Sequence, residues 1–105
     1  MDEQYKVIIS TRAKRRMREH IRFLAIVSKP AATRLRVKFN AAFRSLEYMP
    51  YRYTVSARQD LESGEYRRLL VSRRYLVSYE IVGGTVYVDD IYDGRQIPGQ
   101  QKERI

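Results

Sequence analysis

An α+β fold is predicted by three features of the sequence. Two consecutive stretches carry apolar residues at helical spacing, three later stretches read as strands, and Gly83-Gly84 separates the last two of these. The expected order is strand, helix, helix, strand, strand, strand. The helices should form a hairpin on one face of the sheet, and the last three strands an antiparallel meander. A chain of 105 residues fits one domain, residues 1–105, with a polar tail from about residue 97.

Residues 5–9 read as a short strand, with Val7 and Ile9 on one face and Ile8 on the other. Ser10 or Thr11 can cap the helix that follows. Ala13, Met17, Ile21, Leu24 and Val27 then form one stripe, the spacing of a helix that buries a single face. Ser28-Lys29-Pro30 interrupts it, and Pro30 is tolerated at the start of a new helix. Leu35, Phe39, Ala42, Leu46 and Met49 form the second stripe, which Pro50 ends. Residues 51–65 are polar and read as irregular. Strands are expected over residues 66–71, 75–82 and 85–92. Asp89-Asp90 breaks the alternation of the last strand, as a β-bulge does. The apolar face of an antiparallel sheet is the natural partner for both helical stripes, and the opposite face stays open.

Lys and Arg total 21 against 12 acidic residues, a formal net charge of +9. That excess, mostly arginine, suits a phosphate-rich or acidic partner, because guanidinium groups make paired contacts with phosphate and carboxylate. No cysteine is present, so disulfides and thiolate metal sites are excluded. Glycine-rich phosphate loops and metal-ligand clusters are absent from the sequence, and no cofactor is expected. The acidic N-terminal residues and the lack of a long apolar run lead to the expectation of a cytoplasmic protein without a membrane span.

The residues that carry a family resemblance run from Tyr5 to about Gln96. They are Ala13, Leu46-x-x-x-Pro50, Tyr66-Arg67-Arg68-Leu69, Tyr75-x-Val77-x-Tyr79-Glu80-Ile81 and Ile91-Tyr92-Asp93-Gly94-Arg95-Gln96. In this order they resemble the RelE/ParE toxin superfamily, the plasmid stabilisation family of type II toxin–antitoxin systems. The resemblance implies two N-terminal helices on a curved antiparallel sheet, and an acidic antitoxin that wraps and neutralises the toxin. It leaves the target open. RelE-like toxins are mRNA interferases that enter the ribosome and cut mRNA, whereas ParE-like toxins inhibit DNA gyrase. The first is the leading expectation and the second its rival; a basic nucleic-acid-binding module without toxicity is a third reading.

A metal-free endoribonuclease of this kind needs a base for the ribose 2′-hydroxyl, a cation for the phosphorane charge and an acid for the leaving oxygen. The resemblance places such groups at Arg67, Arg95, Tyr92 and Asp93. It also exposes two departures: Leu76 stands where ribosome-dependent members carry arginine, and Asp93 where some carry histidine. Arg12, Arg15 and Arg16 on the first helix, and Arg73 and Arg74 in a turn, are the expected nucleic-acid contacts. Tyr75 and Tyr79 are expected in the core. Arg67 and Arg68 should point to opposite faces, and Arg95 beside Asp93 suits an ion pair. His20, the single histidine, lies beside the buried stripe and is read as structural, because no second His or Asp is placed to form a triad with it.

Overall fold

The computed structural model describes residues 4–55 and 66–96. Strand β1 spans Lys6–Ile9, helix α1 Thr11–Val27 and helix α2 Lys29–Leu46. A 3-10 turn at Pro50–Arg52 precedes β2, Thr54–Val55. Strands β3, Tyr66–Val71, β4, Tyr75–Val82, and β5, Thr85–Asp93, follow, and a last 3-10 turn covers Gly94–Gln96. The sheet order is β1-β5-β4-β3-β2.

Short polar residues set the helix boundaries. Ser10 caps α1, its hydroxyl accepting from Ala13 N at 2.9 Å. Ser28 alone joins the two helices: its backbone N–H donates to Leu24 O at the end of α1, and its hydroxyl accepts from Ala31 N at the start of α2. Pro30 falls in the first turn of α2, where its missing N–H costs no helical hydrogen bond. Ala13 and Ile21 of α1 and Ala32, Leu35, Phe39, Phe43 and Leu46 of α2 pack on Leu69, Val71, Tyr75, Val77, Tyr79, Val86, Val88 and Ile91 of the sheet. Tyr75 and Tyr79 are core residues, as expected.

Four details depart from the sequence reading. The sheet is mixed, because β1 pairs parallel to β5; after α1 and α2 the chain returns to the first strand through a long connection, and strand direction is then set by packing. A two-residue strand, β2, lies within the stretch read as irregular and pairs with β3; residues 56–65 of that stretch lie outside the described residues. Helix α2 ends at Leu46, three residues before Met49, which is half exposed. Val27, in the last turn of α1, is exposed too.

Two turns show contrasting chemistry. Val82 pairs with Thr85 across Gly83-Gly84, and Gly83 has the positive φ that glycine accommodates without strain. The turn between β3 and β4 has positive φ at Ser72 and Arg73, neither of them glycine, and is closed by Arg74 N–H donating to Val71 O at 3.1 Å. Left-handed φ costs an ordinary residue roughly 1–2 kcal/mol.

The bulge expected at Asp89-Asp90 is present and reorganises the end of β5. Ser78 pairs with Asp90 but Tyr79 pairs with Val88, so Asp89 is the extra residue. The inward set of β5 therefore runs Val86, Val88, Ile91 and Asp93, all buried. Uninterrupted alternation from Val86 would have turned Asp90 and Tyr92 inward instead.

Candidate functional site: an arginine cleft closed by Asp93

Beyond Ile9 there is no β1 residue to pair with β5, and the start of α1 takes over the open edge. Ser10 N–H donates to Val88 O, the Ser10 hydroxyl to Asp89 O at 2.8 Å, and His20 Nε2 lies 3.0 Å from Ile91 O. A carbonyl can only accept, so Nε2 carries the proton in this contact. Arg12 and Arg16 approach the buried Asp90 carboxylate at 3.6 and 3.9 Å. These contacts lay the polar face of α1 along the C-terminal half of β5.

Between that face and the strand ends lies an open cleft of about 640 Å³. Its walls are Arg15, Arg16, Glu19, His20 and Phe23 of α1, together with Arg74, Tyr75, Asp93 and Arg95. Arg16, His20 and Phe23 share one side of α1 because they are three and four residues apart. Asp93 is the fixed centre. Its Oδ2 accepts from Arg74 Nε at 3.2 Å and from Nη2 at 2.9 Å. Its Oδ1 accepts from the Arg95 backbone N–H at 3.0 Å, with Arg95 Nε at 3.5 Å. Burial alone would raise the Asp93 pKa, but the hydrogen bonds from Arg74 and Arg95 outweigh it and hold the carboxyl down at about 2. The same hydrogen bond raises the pKa of Arg74.

The backbone fixes this arrangement. Gly94 N–H donates to Arg74 O at 2.6 Å, and a Cβ at Gly94 would lie 2.8 Å from that oxygen, so only glycine permits the approach. The Arg74 guanidinium also sits 5.1 Å above the Tyr75 ring, which packs against the His20 and Phe39 rings as well.

The residues proposed from the sequence fall in separate places. Arg95 and Asp93 meet in the cleft with Arg15, Arg16 and Arg74. Arg12 stands by Asp90, and Arg73 is exposed in the strained turn and does not line the cleft. Tyr92 pairs with Leu76 and lies on the other face of the sheet from Asp93. Arg67 is opposite Tyr79, whereas Asp93 is opposite Tyr75. The two positions are four residues apart along β4, about 13 Å along the strand. Arg67 shares the helix-side alternation of Leu69 and Val71, and its Nη1 donates to Tyr51 O at 3.2 Å and to Tyr53 O at 2.8 Å. Its guanidinium also stacks 5.2 Å from the Tyr51 ring. Close by, the Tyr79 hydroxyl donates to Pro50 O at 2.5 Å, and burial pushes its pKa up. Arg67 and Tyr79 thus tether the Pro50–Arg52 turn to the sheet.

The sequence reading missed Glu19, Phe23 and Tyr75 as cleft residues and set His20 aside. The spacing of Arg16, His20 and Phe23 was a signal for one shared face. That this face meets Asp93 depends on the bulge in β5.

The family model for the ParE toxin of the type II toxin–antitoxin system parDE matches residues 7–98. The chain belongs to the ParE toxin family. The resemblance to the RelE/ParE superfamily is therefore confirmed, and a type II toxin implies an antitoxin as its partner. No curated protein sequence matches the chain. Among the described residues of this ParE-family toxin, no helix is long and apolar enough to cross a membrane.

Proposed function

We propose that this toxin arrests growth by binding DNA gyrase, without nuclease chemistry of its own. The observation that carries the reading is the separation of the four candidate catalytic residues. Arg67 is spent on backbone carbonyls, Tyr92 lies beside the apolar Leu76 on the other face, and Asp93 is ionised between two arginines. A carboxyl held at about 2 carries no proton to donate at neutral pH and is a weak base. Asp93 then serves to position Arg74 and Arg95. The arginine side of α1, with the exposed Phe23, Ile26 and Val27, is the surface offered to partners, including an acidic antitoxin in the cytoplasm.

Supercoiling by purified gyrase tests this directly: the toxin should block it in proportion to its concentration. Primer extension on a reporter mRNA after induction should show unchanged transcripts. The rival reading, a ribosome-dependent mRNA endonuclease, is favoured by the arginine cleft with His20 in its wall, and it requires new 5′ ends in that assay. Uninhibited gyrase together with cleaved mRNA would reverse the assignment.

A further inference from the structure

We infer that the cleft between α1 and the ends of β4 and β5 binds a nucleoside phosphate, its phosphate on Arg74, Arg95 and Arg16 and its base against Phe23. Among the described residues, four arginines and two carboxylates line the cleft, an excess of positive charge. Asp93 engages Arg74 through Nε and Nη2, and Arg95 through Nε and the backbone. Among the described residues, no side chain accepts a hydrogen bond from Nη1 of Arg74 or from either terminal nitrogen of Arg95. Two guanidinium groups held on one carboxylate repel each other, and a second anion on their free donors relieves that repulsion. Arg15 and Arg16 approach their carboxylates at 3.8 and 3.9 Å, beyond hydrogen-bond length, which leaves their donors available as well.

The site is built in advance. The carboxylate that orients both arginines is 7% exposed, the strained Ser72-Arg73 turn delivers Arg74, and Gly94 locks the backbone between them. Fixed donors lower the ordering cost on association, and strained backbone is concentrated at ligand sites. Phosphate fits better than a lone carboxylate, since its three terminal oxygens can engage several guanidinium forks at once. Phe23 supplies the second half of the recognition. It is 72% exposed on the cleft wall, and a flat aromatic ring beside clustered arginines suits a nucleobase. A volume of about 640 Å³ accommodates a nucleotide.

The test is calorimetric titration of the purified full chain, without gyrase, using adenosine monophosphate, ribose 5-phosphate, a single-stranded hexanucleotide and a glutamate-rich peptide. Adenosine monophosphate should bind more tightly than ribose 5-phosphate. Arg95→Ala should weaken both by about tenfold. Phe23→Ala should weaken the base-bearing ligand by about fivefold and leave ribose 5-phosphate unchanged. Equal affinity for monophosphate and hexanucleotide identifies a free nucleotide as the ligand, and tighter, salt-sensitive hexanucleotide binding identifies a strand. Both variants are at exposed positions, so an unchanged thermal transition separates lost binding from lost folding. Binding unaffected by either variant, or tighter binding of the peptide than of any nucleotide, would overturn the proposal.

Discussion

Arg67 and Arg95 stand at opposite corners of the same sheet and have opposite fates. Arg67 donates to two backbone carbonyls and stacks on Tyr51, so its charge holds a turn in place. Arg95 is fixed through its backbone N–H and Nε on Asp93, and 68% of its side chain remains exposed. One corner consumes its guanidinium and the other presents it. The difference lies in the acceptor. Carbonyls of a tethered loop take up Nη1 of Arg67, whereas the carboxylate shared by two arginines holds Arg95 by Nε and leaves most of its side chain exposed.

The largest expected effect is at the hub of the presenting corner. Asp93→Asn removes the charge that holds two guanidinium groups together, and denaturant unfolding at neutral pH should show a loss of about 2–3 kcal/mol. A loss below about 0.5 kcal/mol would mean that the cleft arginines do not depend on Asp93. Acid should produce a similar effect without mutation. The folded pKa of Asp93, about 2, lies below its ordinary value of 3.8, so its contribution is fully present above that value and is lost as pH falls through about 2. It amounts to about 2 kcal/mol, and wild type minus Asp93→Asn stability, measured from pH 6 to pH 2, should shrink accordingly.

At the consuming corner, Arg67→Ala should cost about 1–2 kcal/mol by unpairing Tyr51 O and Tyr53 O. Gyrase inhibition should fall only as far as the folded fraction falls. Inhibition abolished in fully folded Arg67→Ala protein would instead place this corner in the functional surface. The smallest stability effect is expected at Arg95→Ala, within about 0.5 kcal/mol, because an exposed ion pair contributes little. Growth arrest on induction should nonetheless weaken. If arrest is unchanged, the presenting corner plays no part in toxicity.

Much of this architecture is legible in the sequence, because its signals are local. Ser10 and Ser28 cap helices through their own neighbours, Gly83 supplies a positive φ, and the apolar stripes need only helical geometry. The Ser72-Arg73 turn carries no such signal, since neither residue is a usual choice for positive φ; flanking strand pairing imposes it. Parallel pairing of β1 with β5 joins residues nearly eighty positions apart, and no local pattern encodes it. The candidate site was half legible. Asp93 and Arg95 share one motif and do meet, while Arg67, a candidate from another motif, lies elsewhere.

The sequence by itself determined the helices, the later strands, the excess of arginine and the position of the bulge, since each depends on residues within a few positions of one another. Tertiary structure decided which face those arginines serve. One extra residue, Asp89, shifts the alternation of β5 so that Asp93 rather than Tyr92 turns toward α1. The open edge of β5 past Ile9 then draws Ser10 and His20 onto its carbonyls and carries Arg16 and Phe23 to the cleft. Charge is a property of composition, but its use here depends on which acceptors the fold places within hydrogen-bond reach.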